Sequence, residues 1–330
     1  MSQISSEARY TQMEYRRCGA SGLKLPSLSL GLWHNFGESA SYQNCKAMIL
    51  GSFDRGITHF DLANNYGPPP GSAEKMFGTI LHREALMHRD EMVISTKAGY
   101  HMWEGPYGEW GSKKHLVSSL DQSLKRLQLG YVDIFYHHRP DPLTPLEETA
   151  QALVGLVRAG KALYIGISNY GPEDTVRMIT LLERERVHCL VNQIKYSMLE
   201  RDNQALFPIL QEHGVGGIAY SPLAQGLLTG KYVSGIPIDS RAAGKSVFLT
   251  PDSVTPEVLG VVRDLSEVAE KRGQKLAQMA LAWVLHQQSI VSVILGASRM
   301  EQVDENLMAL QNLSFSPEET DTIESILGTS

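Results

Sequence analysis

Cysteine is scarce in this chain: Cys18, Cys45 and Cys189 are the 3 cysteines among 330 residues. Their odd number and wide spacing exclude a disulfide scaffold and the close pairs of a zinc knuckle, so buried structural thiols are expected. Basic blocks are missing too. With 30 Lys+Arg against 36 Asp+Glu and a formal charge of -6, the chain has no electrostatic footprint for nucleic acid. The most apolar stretches, 277–285 and 290–297, are separated by residues 286–289 and are too short to cross a bilayer. The first residues include Glu7, Arg9 and Glu14 and lack the apolar centre of a signal peptide, so a soluble cytoplasmic protein is expected. No His-Glu-x-x-His and no Gly-x-Ser-x-Gly occurs, which argues against a helical zinc site and against a hydrolase elbow; no metal is expected.

What is present is alternation. Short apolar strands are predicted at 28–32, 57–61, 92–97, 132–136, 162–168, 190–192, 215–220 and 291–296. Helices are predicted between and after them at 41–53, 72–81, 113–127, 146–159, 172–185, 206–212, 255–271, 276–286 and 300–310. Eight strands alternating with helices fit an α/β fold of the closed parallel (β/α)8 TIM-barrel kind better than an open two-domain sheet. The chain is thus read as one domain over 1–330 with a core near 15–313. Arg16, Arg17, Gly19 and Gly22 suggest a short N-terminal β-hairpin plugging one end. The Pro/Gly-rich tracts at 67–71 and 235–244 read as extended loops.

Polar residues recur where the strands end: Asp61, Lys97, His138, Ser168 with Asn169, and Gln193. In a barrel these ends share one mouth, where active sites form. Tyr66 follows Asp61 in a proline-stiffened loop. A nearby Lys97 ammonium would lower its pKa, and Asp61 would keep that ammonium charged, making Tyr66 a tunable acid. His137 and His138 are adjacent, so their rings should point to opposite sides; His138 is the candidate for orienting a substrate oxygen and His137 is expected to be structural.

Two later loops suit an anion. Tyr220, Ser221 and Leu223, then Gly226 and Lys231, follow the seventh strand and could receive a pyrophosphate. Gly296, Ser298 and Arg299 follow the eighth and open a helix, where backbone donors and positive charge favour phosphate. Arg299 with Gln302 would hold a ribose phosphate and Glu305 with Asn306 an adenine, which favours NADPH over NADH. Tyr196 could offer an aromatic plane near a nicotinamide, with core packing as the alternative.

These residues resemble the aldo-keto reductase family, in the branch with bacterial aldehyde reductases and voltage-gated potassium channel β subunits. The marks are Gly31-Leu32-Trp33, Asp61 through Tyr66, Ser95-Thr96-Lys97, His138-Arg139-Pro140-Asp141, Gly166-Ile167-Ser168-Asn169, Asn192-Gln193, Tyr220-Ser221-Pro222-Leu223, Gly226, Gly230-Lys231, and Gly296-Ala297-Ser298 through Glu305-Asn306. The resemblance implies NADPH bound without a Rossmann domain and a tetrad of Asp61, Tyr66, Lys97 and His138. Trp33 and Asp61 would line the nicotinamide, Ser168, Asn169 and Gln193 would orient its carboxamide, and Tyr196 or Tyr220 would lie against the ring. Ser221, Leu223, Gly226 and Lys231 would hold the pyrophosphate, with Arg241 closing across it.

The family often has Lys where Gly296 stands here, so the positive charge would fall to Arg299 and Lys231. The channel branch often has Asn where this chain has His138, a departure that favours reductase chemistry. The implied substrates are small aldehydes, L-glyceraldehyde 3-phosphate and methylglyoxal among them, with Tyr66 as general acid. Trp33, Trp103, Tyr107 and Trp110 are candidate apolar walls, and Arg139 either meets a substrate phosphate or braces its loop. Two alternatives are an NADPH-bound redox-sensing interaction subunit and a Lys97 Schiff-base aldolase. The resemblance also implies a homo-oligomer, a tetramer or larger.

Overall fold

The computed structural model describes residues 7–232 and 254–328. An antiparallel pair, β1 (Tyr15–Arg17) and β2 (Lys24–Pro26), precedes eight parallel strands. These are β3 (Leu28–Gly31), β4 (His59–Asp61), β5 (Val93–Ala98), β6 (Val132–His137), β7 (Ala162–Ser168), β8 (Cys189–Lys195), β9 (Gly216–Tyr220) and β10 (Ile290–Leu295). They close in the order β10-β3-β4-β5-β6-β7-β8-β9. The fold is therefore the expected (β/α)8 barrel with an N-terminal hairpin.

The helices are α1 (Tyr42–Asp54), α2 (Ser72–Ile80), α3 (Lys113–Leu127), α4 (Leu146–Arg158), α5 (Pro172–Arg184), α6 (Phe207–Glu212), α7 (Pro256–Lys271), α8 (Leu276–His286), α9 (Met300–Leu307) and α10 (Pro317–Leu327). Local chemistry sets their ends. In α5, proline stands at the start, Glu173 and Asp174 occupy the first turn and Arg184 the last, each complementing the helix dipole. α8 is buried on nearly every side, consistent with its run of Leu, Ala, Met and Trp. Among the described residues, no helix is long and apolar enough to cross a membrane.

Alternation along each strand sends one set of side chains into the barrel. Register puts Asp61 beside Ser95, Ser95 beside Ile134, Lys97 beside Tyr136 and Ser168 beside Gln193. Gly166 makes room for the Tyr136 ring, since a Cβ there would stand 2.4 Å from it. Cys18 and Leu25 of the hairpin pack with inward-facing Ile134, Tyr136, Val191 and Ile218, and the Ala20 amide donates to the Gly214 carbonyl at 2.8 Å. The hairpin thus closes the end where strands begin, leaving the other end as the mouth. All 3 cysteines are free and buried, and burial pushes the thiols up, to about 12 at Cys18 and Cys189 and about 11 at Cys45.

Candidate active site

Lys97 projects from β5 into the barrel and is fully buried. An ammonium at that depth must find acceptors for its protons. Its Nζ donates to Asp61 Oδ2 at 2.6 Å, to the Leu62 carbonyl at 2.7 Å and to the Tyr66 hydroxyl oxygen at 3.2 Å. Asp61 Oδ1 accepts from Ser95 Oγ at 2.9 Å and from Gln193 Nε2 at 3.0 Å. Both carboxylate oxygens are thereby satisfied, which holds the charge deep in the fold.

Tyr66 is half-buried at the end of this chain of contacts, with the Lys97 ammonium 4.8 Å from its ring centre. Burial pushes its phenol well above the ordinary value of 10.0, and the Asp61 carboxylate pushes the same way. The expectation that Lys97 lowers this pKa needs correction. Lys97 is itself neutralised by Asp61 at 2.6 Å, so desolvation and the carboxylate prevail over the ammonium. Burial also lowers the Lys97 pKa, against the pull of Asp61.

His138 follows β6, and its backbone amide donates to the Ala98 carbonyl at 2.9 Å. Its ring is buried, edge-on to Tyr66 at 5.9 Å and to Tyr100 at 4.6 Å, and Nδ1 has no partner. Burial, with Lys97 nearby, drops its pKa well below 6.5 and keeps the imidazole neutral. His137 turns the other way, its Nδ1 2.6 Å from the Tyr170 hydroxyl. Arg139 braces its loop: its Nε donates to the Gly99 carbonyl at 3.1 Å, it pairs with Glu109, and it stacks over Tyr100 and Trp110. That guanidinium is already matched. Trp33 is half-buried and 6.0 Å from the Tyr66 ring, Trp103 packs on His115, and Tyr107 is exposed.

Around the mouth from His138, Ser168 Oγ donates to the Gln193 carbonyl at 2.9 Å. Asn169 is exposed in a left-handed conformation at φ 60. It donates to the His138 carbonyl at 3.0 Å and accepts from the Tyr220 hydroxyl at 2.7 Å. Tyr196 is elsewhere. It lies fully buried, stacked on Trp283 with ring centres 5.4 Å apart and its hydroxyl accepting from Gln204 at 2.8 Å. Its ring fills the space between barrel and helix layer, so Tyr220 is the tyrosine at the rim.

The loop after β9 turns through left-handed backbone at Ser221, Ala224, Gln225 and Gly226, with Leu223 half-buried within it. At Gly226, φ is 100 and an added Cβ would come within 3.3 Å of Lys231 Nζ. The missing side chain leaves an open backbone cradle beside an exposed ammonium, which suits a pyrophosphate. Gly296, Ser298 and Arg299 are exposed at the start of α9, with Arg299 as the N-cap residue. Gln302 Oε1 accepts from the Ser298 amide at 2.8 Å and fixes that loop; Glu305 pairs with Lys275, and Asn306 is buried. Arg241 lies outside the described residues. The donor set on the two loops fits a dinucleotide phosphate backbone.

The strand-end residues are legible in the sequence, whereas Ser95 stands there only as a neighbour of Lys97, and nothing at a strand end marks Tyr100 or His59. Inward alternation from Asp61 and Lys97 would have found Ser95 and His59. The Aldo/keto reductase family matches residues 27–328. The chain is 56% identical over 321 residues to the L-glyceraldehyde 3-phosphate reductase of Escherichia coli K12, covering 96% of this chain and 93% of that protein. It is 36% identical over 323 residues to a probable voltage-gated potassium channel subunit beta of Oryza sativa subsp. japonica, covering 96% and 97%. Barrel, buried Lys97–Asp61 pair and sequence all agree: the chain is an oxidoreductase that belongs to the aldo/keto reductase family.

Proposed function

We propose that this chain, acting as one barrel domain, reduces small aldehydes with NADPH, L-glyceraldehyde 3-phosphate and methylglyoxal among them. The observation that carries the reading is the Lys97 ammonium held between the Asp61 carboxylate and the Tyr66 hydroxyl beneath the mouth. Tyr66 gives its proton to the alkoxide as it develops on the carbonyl oxygen. Its raised pKa keeps that proton in place until the oxygen becomes basic enough to take it. Lys97 then faces a phenolate, and Asp61 prevents the ammonium from being lost. His138, neutral and with Nδ1 unpartnered, orients the carbonyl oxygen.

Bound NADPH supplies the hydride. Trp33 and Tyr220 would flank its nicotinamide, and Ser168, Asn169 and Gln193 would hold the carboxamide. Ser221, Leu223, Gly226 and Lys231 would take the pyrophosphate, while Gly296, Ser298, Arg299, Gln302, Glu305 and Asn306 would take the adenosine phosphate end. The preference for NADPH rests on Arg299, exposed at the start of α9. The Escherichia coli relative carries L-glyceraldehyde 3-phosphate in its name, which supports that substrate. A cytoplasmic homo-oligomer completes the reading.

A Lys97 Schiff-base aldolase is disfavoured, because Nζ already has Asp61, Leu62 and Tyr66 as partners and is fully buried. The test is NADPH oxidation with L-glyceraldehyde 3-phosphate, its D isomer and methylglyoxal. Tyr66→Phe should lose about 10²- to 10⁴-fold in kcat while NADPH binding is retained. Unchanged turnover in that variant, or no substrate-dependent oxidation by the wild type, sinks the proposal.

A further inference from the structure

Arg139 is gripped more firmly than a loop brace requires. Its Cζ lies 4.2 Å from the centre of the Tyr100 ring and 3.8 Å from that of Trp110, and these cation–π contacts fix the plane of the guanidinium. Gly99 adds a third hold: its carbonyl accepts from Arg139 Nε at 3.1 Å and from the Trp110 amide at 3.1 Å, which ties the indole to the cation. Trp110 reaches that place with a left-handed backbone, φ 73, a conformation that costs a bulky residue free energy. Strain of that kind persists only where the surroundings impose it, and it gathers at sites that bind or react.

The ionic partner is held less well than the cation. Nη2 donates to Glu109 Oε1, and among the described residues Nη1 has no hydrogen-bond partner. A guanidinium presents its N–H donors as a planar fork that suits a two-pronged anion, and most of that fork is unused. Asp141 does not compete for it, because it accepts from the Gly111, Leu143 and Thr144 amides and from the Thr144 hydroxyl. The Glu109 side chain is 34% exposed against 22% for Arg139, so its carboxylate regains water readily on leaving. It also has a place to go, with His101 Nδ1 4.0 Å from its Oε2.

Tyr100 ties this clamp to the site. Its ring is edge-on to His138 at 4.6 Å between centres and lies under the Arg139 guanidinium. A single ring thus separates the imidazole that meets the carbonyl oxygen from a fixed cation. A three-carbon aldehyde bridges that separation when its carbonyl is at His138 and an anionic group on its far carbon is at Arg139. A phosphate monoester brings a charge of about −1.5 to −2 and three acceptor oxygens at pH 7. It fills the fork with two bonds, where Glu109 makes one.

We propose that Arg139 selects phosphorylated aldehydes and that Glu109 is a displaceable carboxylate occupying the place of the substrate phosphate. This assignment rests on the reductase reading and names the residues behind its substrate class. A phosphorylated aldehyde expels Glu109 and takes the fork. Methylglyoxal carries no anion and leaves the Arg139–Glu109 pair closed.

The test is the ratio of kcat/KM for L-glyceraldehyde 3-phosphate to that for methylglyoxal at saturating NADPH. Arg139→Gln should lower this ratio about 10- to 100-fold, the loss expected when charge-assisted hydrogen bonds to the phosphate are removed. Glu109→Gln should raise it about fivefold, since the competing ion pair is gone. A brace alone would slow both substrates alike, so an unmoved ratio in Arg139→Gln overturns the proposal, as does an unmoved or lowered ratio in Glu109→Gln. Calorimetric titration of the NADP+-loaded protein with glycerol 3-phosphate reads the same contact without turnover. Binding should weaken about 10- to 100-fold in Arg139→Gln and tighten about fivefold in Glu109→Gln; equal affinity in wild type and both variants overturns the proposal and leaves the reductase reading intact. A wild type inert toward every aldehyde would overturn the reductase reading, and the titration would then decide the role of Arg139 alone.

Discussion

Three imidazoles, His59, His137 and His138, are buried in or beside β4 and β6, and each is kept neutral by desolvation. Burial lowers His59 to about 4 and His137 to about 3, and drops His138 well below 6.5. The unfolded chain has no such penalty, so its imidazoles take up protons near 6.5 while the folded ones do not. A folded pKa below the unfolded one for a base means stability that is present above 6.5 and is lost as pH falls toward the folded value. At pH 5 each imidazole costs about 2 kcal/mol relative to pH 8, or about 6 kcal/mol for the three. That compares with a total stability of about 5–15 kcal/mol for a typical domain. Urea unfolding at pH 8, 6 and 5 should therefore show the midpoint falling steeply, with these three rings taking up about three protons on unfolding near pH 5 and buried His115, also lowered by burial, adding to the fall. His59→Gln should remove about a third of the decline that these three rings produce. A stability constant within about 1 kcal/mol between pH 7 and pH 5 would refute the claim that these rings are buried and neutral.

The Asp61–Lys97 pair should be coupled: Asp61→Asn and Lys97→Met should each destabilise by about 3–5 kcal/mol in urea melts, and the double variant by clearly less than both together. Strict additivity would mean the two charges are independently solvated. Gly166→Ala puts a methyl 2.4 Å from the Tyr136 ring and should cost about 1–3 kcal/mol in thermal unfolding; a neutral effect would mean the ring has room to move. Arg299→Ala should raise KM for NADPH about tenfold and leave KM for NADH within about twofold. Equal losses for both cofactors would remove Arg299 from the selection between them.

What the sequence disclosed follows the range of the physics involved. β7 is legible as Ala162–Ser168 because its apolar residues run together. β8 runs over Cys189–Lys195, longer than the strand expected at 190–192, because its polar residues find partners: Asn192 donates to Thr175 at 3.1 Å and Gln193 to Asp61 at 3.0 Å. No strand pattern in the sequence announces those partners. α10 was missed although Ser316 and Glu319 form a reciprocal capping box, a local signal that could have found it. The strand-end residues were legible since barrel topology alone brings them to one mouth. The buried contact of Ser29 with Ser292 was not, because the two meet only when the barrel closes, 263 positions apart in sequence. The same limit explains Tyr66. Lys97 alone would lower its pKa, but register sets Asp61 beside Ser95, Lys97 Nζ reaches the same carboxylate at 2.6 Å and closure sets Gln193 on it, so the phenol feels a paired ammonium inside a desolvated pocket. Its proton affinity belongs to the whole layer, and an acid that keeps its proton until an alkoxide forms is the one carbonyl reduction requires.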